Sequence, residues 1–438
     1  MKAPDIAVAP PGRDAAWPWA GLVTVAYLGV VAGVQMSDRG LHAILSPAIR
    51  QAFGVGDAAM GALHGVAGIL IASGLAVPLA KLSDVYSRKR ILLALIATWA
   101  GLTVLGALAP SFPWLFAGWA AAGITEFAMI PVVYSMIPDL VGERLRVGAN
   151  LAFAALMATG ASTGFYLGGH LLELAAQLDF GGPWAQLEPW RRALLMLAGM
   201  AAPLLLLGGT VLDPPRRRDR EAVQAGAVSL LAFVRANRLP VALFVGAAGG
   251  VAVAVQAVVP MIAMALDRRF AADLATVGNT LGVLILVGNL GSLPTAWALD
   301  RALRARMSMR ARPAIMGVAT AVAVPCAALL AFAPQASSAL WLAGGFLFST
   351  CVANALIPTM LQDLAPGELR ARAFASYSFL IAGFCALGPL LSGGISQYLL
   401  HDDLLTAISL AAVPVLAVTV ACTALWCRHD PVAAPAVR

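Results

Sequence analysis

The chain has 438 residues, of which 60% are hydrophobic and 12% charged, with a net charge of +7 and a mean hydropathy of +0.84. A soluble globular domain carries about 25% charged residues. A chain this long and this apolar cannot hide its surface from water, which excludes a soluble enzyme, a nucleic-acid binder and a disordered scaffold.

A spanning helix takes about 20 apolar residues, so the length accommodates about twelve of them with short loops. Residues 1–17 hold Lys2, Arg13, Asp5 and Asp14 and lack the apolar run of a secretory signal; they read as a tail. Apolar spans follow at 19–48, 58–80, 90–109, 112–137, 146–172 and 190–212. The first is long for one span, and Gly33 and Gly40 are expected to bend it. Residues 213–238, with Arg216, Arg217 and Arg218, form the longest polar connection and read as a linker ending in a membrane-surface helix over 221–236. A second set of spans lies at 240–265, 274–299, 312–333, 338–361, 371–399 and 404–427, before a short tail at 428–438. The expected organisation is an N-terminal six-helix bundle at 18–212 and a C-terminal one at 239–427.

Lys and Arg fix an orientation. The two tails and the alternating loops 81–90, 138–146, 213–238, 300–312 and 362–372 hold 23 of the 29 basic residues, and the opposite loops hold 5. The basic side faces the cytoplasm, so both termini are expected there. All five cysteines sit in apolar runs of the second half. They read as small core residues, not as a disulfide or metal framework.

The two halves repeat. Shifting the chain by 224 residues lays Asp139-Leu140 on Asp363-Leu364, Leu145-Arg146 on Leu369-Arg370, Gly164 on Gly388 and Gly169 on Gly393. A second match at a shift of 216 sets Asp84 on Asp300 and Arg88 on Arg304. Parallel repeats of this kind enclose a central cavity near mid-membrane. Small residues at a spacing of four (Gly160, Gly164 and Gly168; Gly61 and Gly65; Gly278 and Gly282) predict close helix contacts.

Charge inside hydrocarbon is costly and marks function. Asp38 and Arg39 interrupt the first span and Glu126 the fourth. At about 1.5 Å per residue, both acids fall near the membrane midplane. Adjacent helical residues do not face each other, so Asp38 and Arg39 need other partners. A carboxylate between burial and a nearby cation can load and unload a proton. Asp38 and Glu126 are therefore the candidate proton carriers, and Arg39 the attractor of an anionic head group. The second half offers only neutral polar groups. His42, Trp119, Gln256, Asn354 and Tyr377 are candidate cavity-lining residues. In the loop around 80–90, Asp84 and Arg88 are placed to latch onto the other half, with Asp300 as the repeat's counterpart.

With these residues in view, the chain resembles the major facilitator superfamily and, within it, the Spinster-like branch. The matching stretches are M-S-D-R-G at 36–40, A-F-G-V-G-D-A-A-M-G-A-L at 52–63, L-A-K-L-S-D-V-Y-S-R-K-R at 79–90, G-I-T-E-F at 123–127 and R-A-R-A-F-A-S-Y-S-F at 370–379. The resemblance implies an all-α membrane protein of twelve transmembrane helices in two pseudo-symmetric halves. It also implies a proton-linked carrier of lysophospholipids, sphingoid phosphates or similar amphiphiles, and gives Asp38, Arg39 and Glu126 coupling and substrate roles. Two departures stand out. Trp119 occupies a position where the family usually has Arg, and Ala80, Ser83 and Val85 replace residues that are commonly Gly, Gly and Arg.

The expectation is a monomeric, multi-pass transporter in a bacterial inner membrane, driven by a proton gradient without a bound cofactor or metal. Its partners are membrane lipids and a small amphiphilic or anionic substrate, with no nucleic acid. An organic-anion/proton symporter and a drug efflux carrier are alternatives of the same class. A lipid scramblase or membrane sensor is the alternative of another class. The chain carries no phosphate-binding G-x-x-x-x-G-K signature and does not read as an enzyme.

Overall fold

The computed structural model describes residues 18–76, 86–178, 181–182, 186–213, 230–366 and 369–428. The described residues contain helices and no strands, as hydrocarbon demands, because only a helix or a closed barrel satisfies every backbone group within itself. Among the described residues, eleven helical stretches are long and apolar enough to cross a membrane. The longest, Leu274–Leu330, breaks at Ser308 (φ 50°) and a short turn, Ser308–Arg310, so it forms two rods.

The rods in chain order are α1 (Pro18–Phe53), α2 (Asp57–Ala76), α3 (Arg88–Ala107), α4 (Phe112–Leu140), α5 (Glu143–Gln177) and α6 (Pro189–Thr210). They continue as α7 (Arg238–Phe270), α8 (Leu274–Met307), α9 (Ala311–Leu330), α10 (Ala336–Leu364), α11 (Arg370–Leu399) and α12 (Leu404–Arg428). A short helix, Leu230–Ala236, precedes α7 and covers the end of the expected surface helix. The tails, Asp84 and the arginines at 216–218 lie outside the described residues.

Local chemistry sets the ends and breaks. Asp273 caps α8. The Thr276 hydroxyl (2.7 Å) and amide (2.9 Å) donate to it and hold its carboxyl below the usual carboxylate range. Two prolines interrupt rods because they lack the N–H that closes a helical turn. Pro203 accompanies the break in α6 at Met200, and Pro260 the turn in α7 at 259–261. Residues Leu63–Ile71 of α2 wind as a π-helix, a rare form often found at functional sites.

α1 runs as one continuous helix through Gly33 and Gly40. These glycines serve packing. Gly33 lies against Gly160, and Gly40 against Gly164 and Phe165, so α1 and α5 touch backbone to backbone. A Cβ on Gly164 would collide with the Ser37 carbonyl. Gly164→Val should therefore cost about 1–3 kcal/mol or more through overpacking. Gly148→Ala, where nothing lies within 4 Å, should be neutral or mildly stabilising. Thermal unfolding in detergent checks both, and equal melting of Gly164→Val and wild type would refute the packing role.

The repeat is visible in three dimensions. Arg88 of α3 reaches Asp139 of α4 (2.6 Å), and Arg312 of α9 reaches Asp363 of α10. Both residues of the pair shift by the same 224 positions, so Arg88 matches Arg312, not Arg304. Gly164 packs on α1, and its counterpart Gly388 packs on α7 at Gln256. Gly169 meets Ala275 of α8, and its counterpart Gly393 meets Asp57 of α2.

The last two contacts join the first six rods to the last six, and they concentrate at the end away from the termini. Gly61 and Gly65 of α2 press on the Pro389 and Ala386 carbonyls of α11, and the Ser162 hydroxyl of α5 donates to the Gly282 carbonyl of α8. The main apolar core runs through this end into both sets of rods. A separate cluster around Phe244, Ile315, Leu356 and Leu364 serves the terminal end of the second set alone.

Candidate functional site

Between the two sets of rods lies a cavity of about 340 Å³, within the size range of small-molecule sites. α1 and α4 supply its charge. Asp38 and Glu126 are each 3% exposed, and both line this cavity near enough to influence each other electrostatically. Arg39 donates through Nε to Glu126 Oε2 (3.3 Å), and its guanidinium lies 4.7 Å from the Phe127 ring centre. Asp38 and Arg39 are not paired with each other, as helical geometry requires. Glu126 is the partner of Arg39.

Asp38 has two partners. The Trp99 indole of α3 donates to Oδ2 (3.4 Å), and His42 Nδ1 lies 3.1 Å from Oδ1, one turn along α1. The His42 ring lies tilted against Trp119 (3.6 Å between centres, 36° between planes). His64, on the π-helical stretch of α2, meets the edge of the same indole (5.4 Å) and bonds the Ser46 hydroxyl (2.8 Å).

The opposite wall carries no described charge. Gln256, Asn289 and Asn354 present carboxamides to the cavity, beside Cys351. Pro260 cannot donate to the Gln256 carbonyl, which leaves that oxygen without its helical partner. Tyr377 is not part of this wall; it packs on Phe244 (5.5 Å between ring centres).

Of the expected latch residues, Asp84 lies outside the described residues, and Arg88 and Asp300 make the following pairings. Arg88 also donates to the Ser135 carbonyl, so its named partners lie in its own half. Asp300 pairs with Arg304 (4.0 Å) and Arg312 (3.3 Å), also in its own half. None of these pairings crosses to the other half. The joining network sits at the opposite end. The fully buried Asp57 carboxylate accepts Arg268 of α7 (2.6 and 2.7 Å), Arg50 of α1 (3.0 Å) and Ser396 of α11 (2.6 Å). Asp402, in a left-handed turn (φ 70°), offers its carbonyl to Arg268 (2.7 Å). Sequence reading counted Arg50 and Arg268 only as loop charges. The signal available was Asp57, an acid opening an apolar span beside Gly54 and Gly56.

Among the described residues, apolar rods in two repeated sets, a cavity between them lined by buried acids and closure at one end have the architecture of a membrane carrier. The Major Facilitator Superfamily profile matches residues 28–389, and the chain belongs to that family. An MFS-type efflux pump of Mycolicibacterium smegmatis is 26% identical over 414 residues, covering 92% of this chain and 90% of the pump. A bacterial homologue of the human lysosomal transporter Spinster, inward-facing and unoccupied, superposes with a TM-score of 0.78 at 17% identity over 93% of this chain and 96% of that one. The nucleoside transporter NupG superposes with a TM-score of 0.70 at 13% identity, covering 93% of this chain and 100% of that one.

Proposed function

We propose that this chain is a proton-coupled secondary transporter of the Spinster-like kind, working by alternating access without a cofactor, as a monomer in a bacterial inner membrane. Its cargo is an amphiphilic small molecule with an ionisable head, such as a lysophospholipid or sphingoid-like lipid. The observation that carries the reading is the pair of carboxyls, Asp38 and Glu126, meeting beside one guanidinium inside the cavity. Two carboxylates about 4 Å apart at an effective dielectric near 20 repel by about 4 kcal/mol. That is a penalty of about three decades, so the pair is best served by one shared proton. When the cavity opens to the other side, the proton can leave.

The basic-residue bias supports cytoplasmic termini; on that orientation the present conformation faces inward. The efflux-pump relative favours a second reading, export of drug-like amphiphiles. Proteoliposomes test both readings, with acyl-labelled lysophosphatidylethanolamine and ethidium as probes under an imposed pH gradient. One probe should accumulate against its own gradient, and a protonophore should abolish this. Labelled lipid that equilibrates in both directions at equal rates, with or without the gradient, would replace the carrier by a scramblase.

A further inference from the structure

One side of α8 changes character at Trp297. Val283, Val287, Leu290, Trp297, Arg301 and Arg304 follow at steps of three, four or seven residues, which is one stripe of a helix. All six are exposed on a rod that spans the membrane, so the stripe faces lipid. Trp297 lies about 35 Å along the rod from Leu274. The hydrocarbon layer is about 30 Å thick, and an exposed Trp at that depth marks the membrane interface. Arg301 and Arg304 lie about 6 and 10 Å farther along, at and just beyond the depth of the head groups. A single stripe thus runs from hydrocarbon to interface to head group, and its polar end is cationic.

Few acids compete for these cations. Asp300 takes Arg312 (3.3 Å) and, more loosely, Arg304 (4.0 Å), and Asp363 takes Arg312. The Arg301 guanidinium lies over the Trp297 ring (5.7 Å to its centre), which holds its arm along the stripe. Arg301, Arg306 and Arg428 meet no carboxylate among the described residues. The Cys427 thiol donates to the Arg310 carbonyl (3.8 Å), so the end of α12, with exposed Arg428, borders the turn Ser308–Arg310. At this corner Arg301, Arg304, Arg306, Arg312 and Arg428 stand against the two carboxylates of Asp300 and Asp363.

We infer that this corner is a binding site for an anionic phospholipid of the surrounding leaflet. Arg301 and Arg304, one turn apart, donate to the phosphodiester oxygens, and Arg306 and Arg428 add positive field. The acyl chains lie along the valines and Leu290 of the same stripe. A phosphatidylethanolamine would bring its own ammonium among the guanidiniums, so the site prefers a head group without an amine. A free phosphate would forgo the apolar half of the stripe, so the occupant is a lipid.

Native mass spectrometry of the full chain in detergent, titrated with dioleoyl lipids, counts the bound molecules. Phosphatidylglycerol should bind about tenfold or more tighter than phosphatidylethanolamine, and raised salt should weaken it. Glycerol phosphate, the head group without its chains, should not displace it at equal concentration. Arg301→Gln with Arg304→Gln should weaken phosphatidylglycerol by about thirtyfold, at about fivefold per arginine, and leave phosphatidylethanolamine unchanged. Arg301→Gln alone, a single exposed change, should weaken it by about fivefold and decides the point if the double variant does not fold. Arg235→Gln with Arg238→Gln removes the same charge from the exposed residues beside α7 and should leave binding unaltered. Equal affinity for the two lipids, equal loss in the two double variants, an Arg301→Gln affinity like the parent's, or displacement by glycerol phosphate would each overturn the site.

Discussion

Replacing Asp57 by Ala should swing the conformational equilibrium toward the state open at the end away from the termini. Asp57 is fully buried and ties four elements together: its own α2, Arg50 of α1, Arg268 of α7 and Ser396 of α11. Removing one partner of a buried ion pair costs about 3–5 kcal/mol, because the remaining charge stays behind in low dielectric. Arg50 and Arg268 are 29% and 26% exposed, so water recovers part of the loss and the lower figure applies. The penalty falls only on the closed state, since the open state separates these helices and hydrates both arginines. About 3 kcal/mol shifts the ratio of open to closed molecules by about two decades. Spin labels at Gln51 on α1 and Tyr398 on α11, both exposed, would report it after replacement of the five cysteines. The expected result is a longer distance population that dominates in Asp57→Ala and is minor in the parent. An unchanged distribution would show that the glycine contacts of α2 with α11 hold the closure unaided.

The second large effect concerns the acids themselves. Glu126→Gln keeps the shape of the side chain but can neither bind nor release a proton, and it removes the anion from Arg39. Asp38→Asn does the same one turn from His42, while its amide oxygen can still accept the Trp99 indole proton. Both variants should fold with near-parental melting, since a neutral amide removes the like-charge conflict along with the proton. Both should lose gradient-driven accumulation while retaining exchange of probe for probe at equal pH, which moves no net proton. That split distinguishes a coupling role from a structural one. Parallel loss of exchange and accumulation would mean that the cluster only locks α1 to α4.

Much of this molecule is legible in its sequence because the membrane simplifies the problem. Apolar runs become rods, and a charge inside such a run has few places to go. Asp38, Arg39 and Glu126 are therefore visible without coordinates, and the glycine spacings mark backbone contacts that the structure bears out at Gly164, Gly61 and Gly278. What spacing cannot give is the partner. Trp99 carries no mark in its apolar run, yet its indole reaches Asp38. Arg268 and Asp57 lie 211 residues apart and meet only because the folded chain brings the end of α7 to the start of α2. Arg88 and Asp300 were expected to bridge the halves, since a basic cluster beside an acid reads the same whichever neighbour it pairs with. The pairings found for them, Arg88 with Asp139 and Asp300 with Arg312, lie within one half each. Tyr377 was expected on the cavity because its span was; the helix rotation that turns it toward Phe244 depends on packing, not on hydropathy.

The account stands on one proton shared between Asp38 and Glu126, and infrared difference spectroscopy of the chain in lipid reads that proton directly. At neutral pH the parent should show the carbonyl absorption of a buried, protonated carboxylic acid, and Asp38→Asn and Glu126→Gln should each alter or remove it. A spectrum without that absorption, or one that both variants leave untouched, would contradict the shared proton and the coupling built upon it.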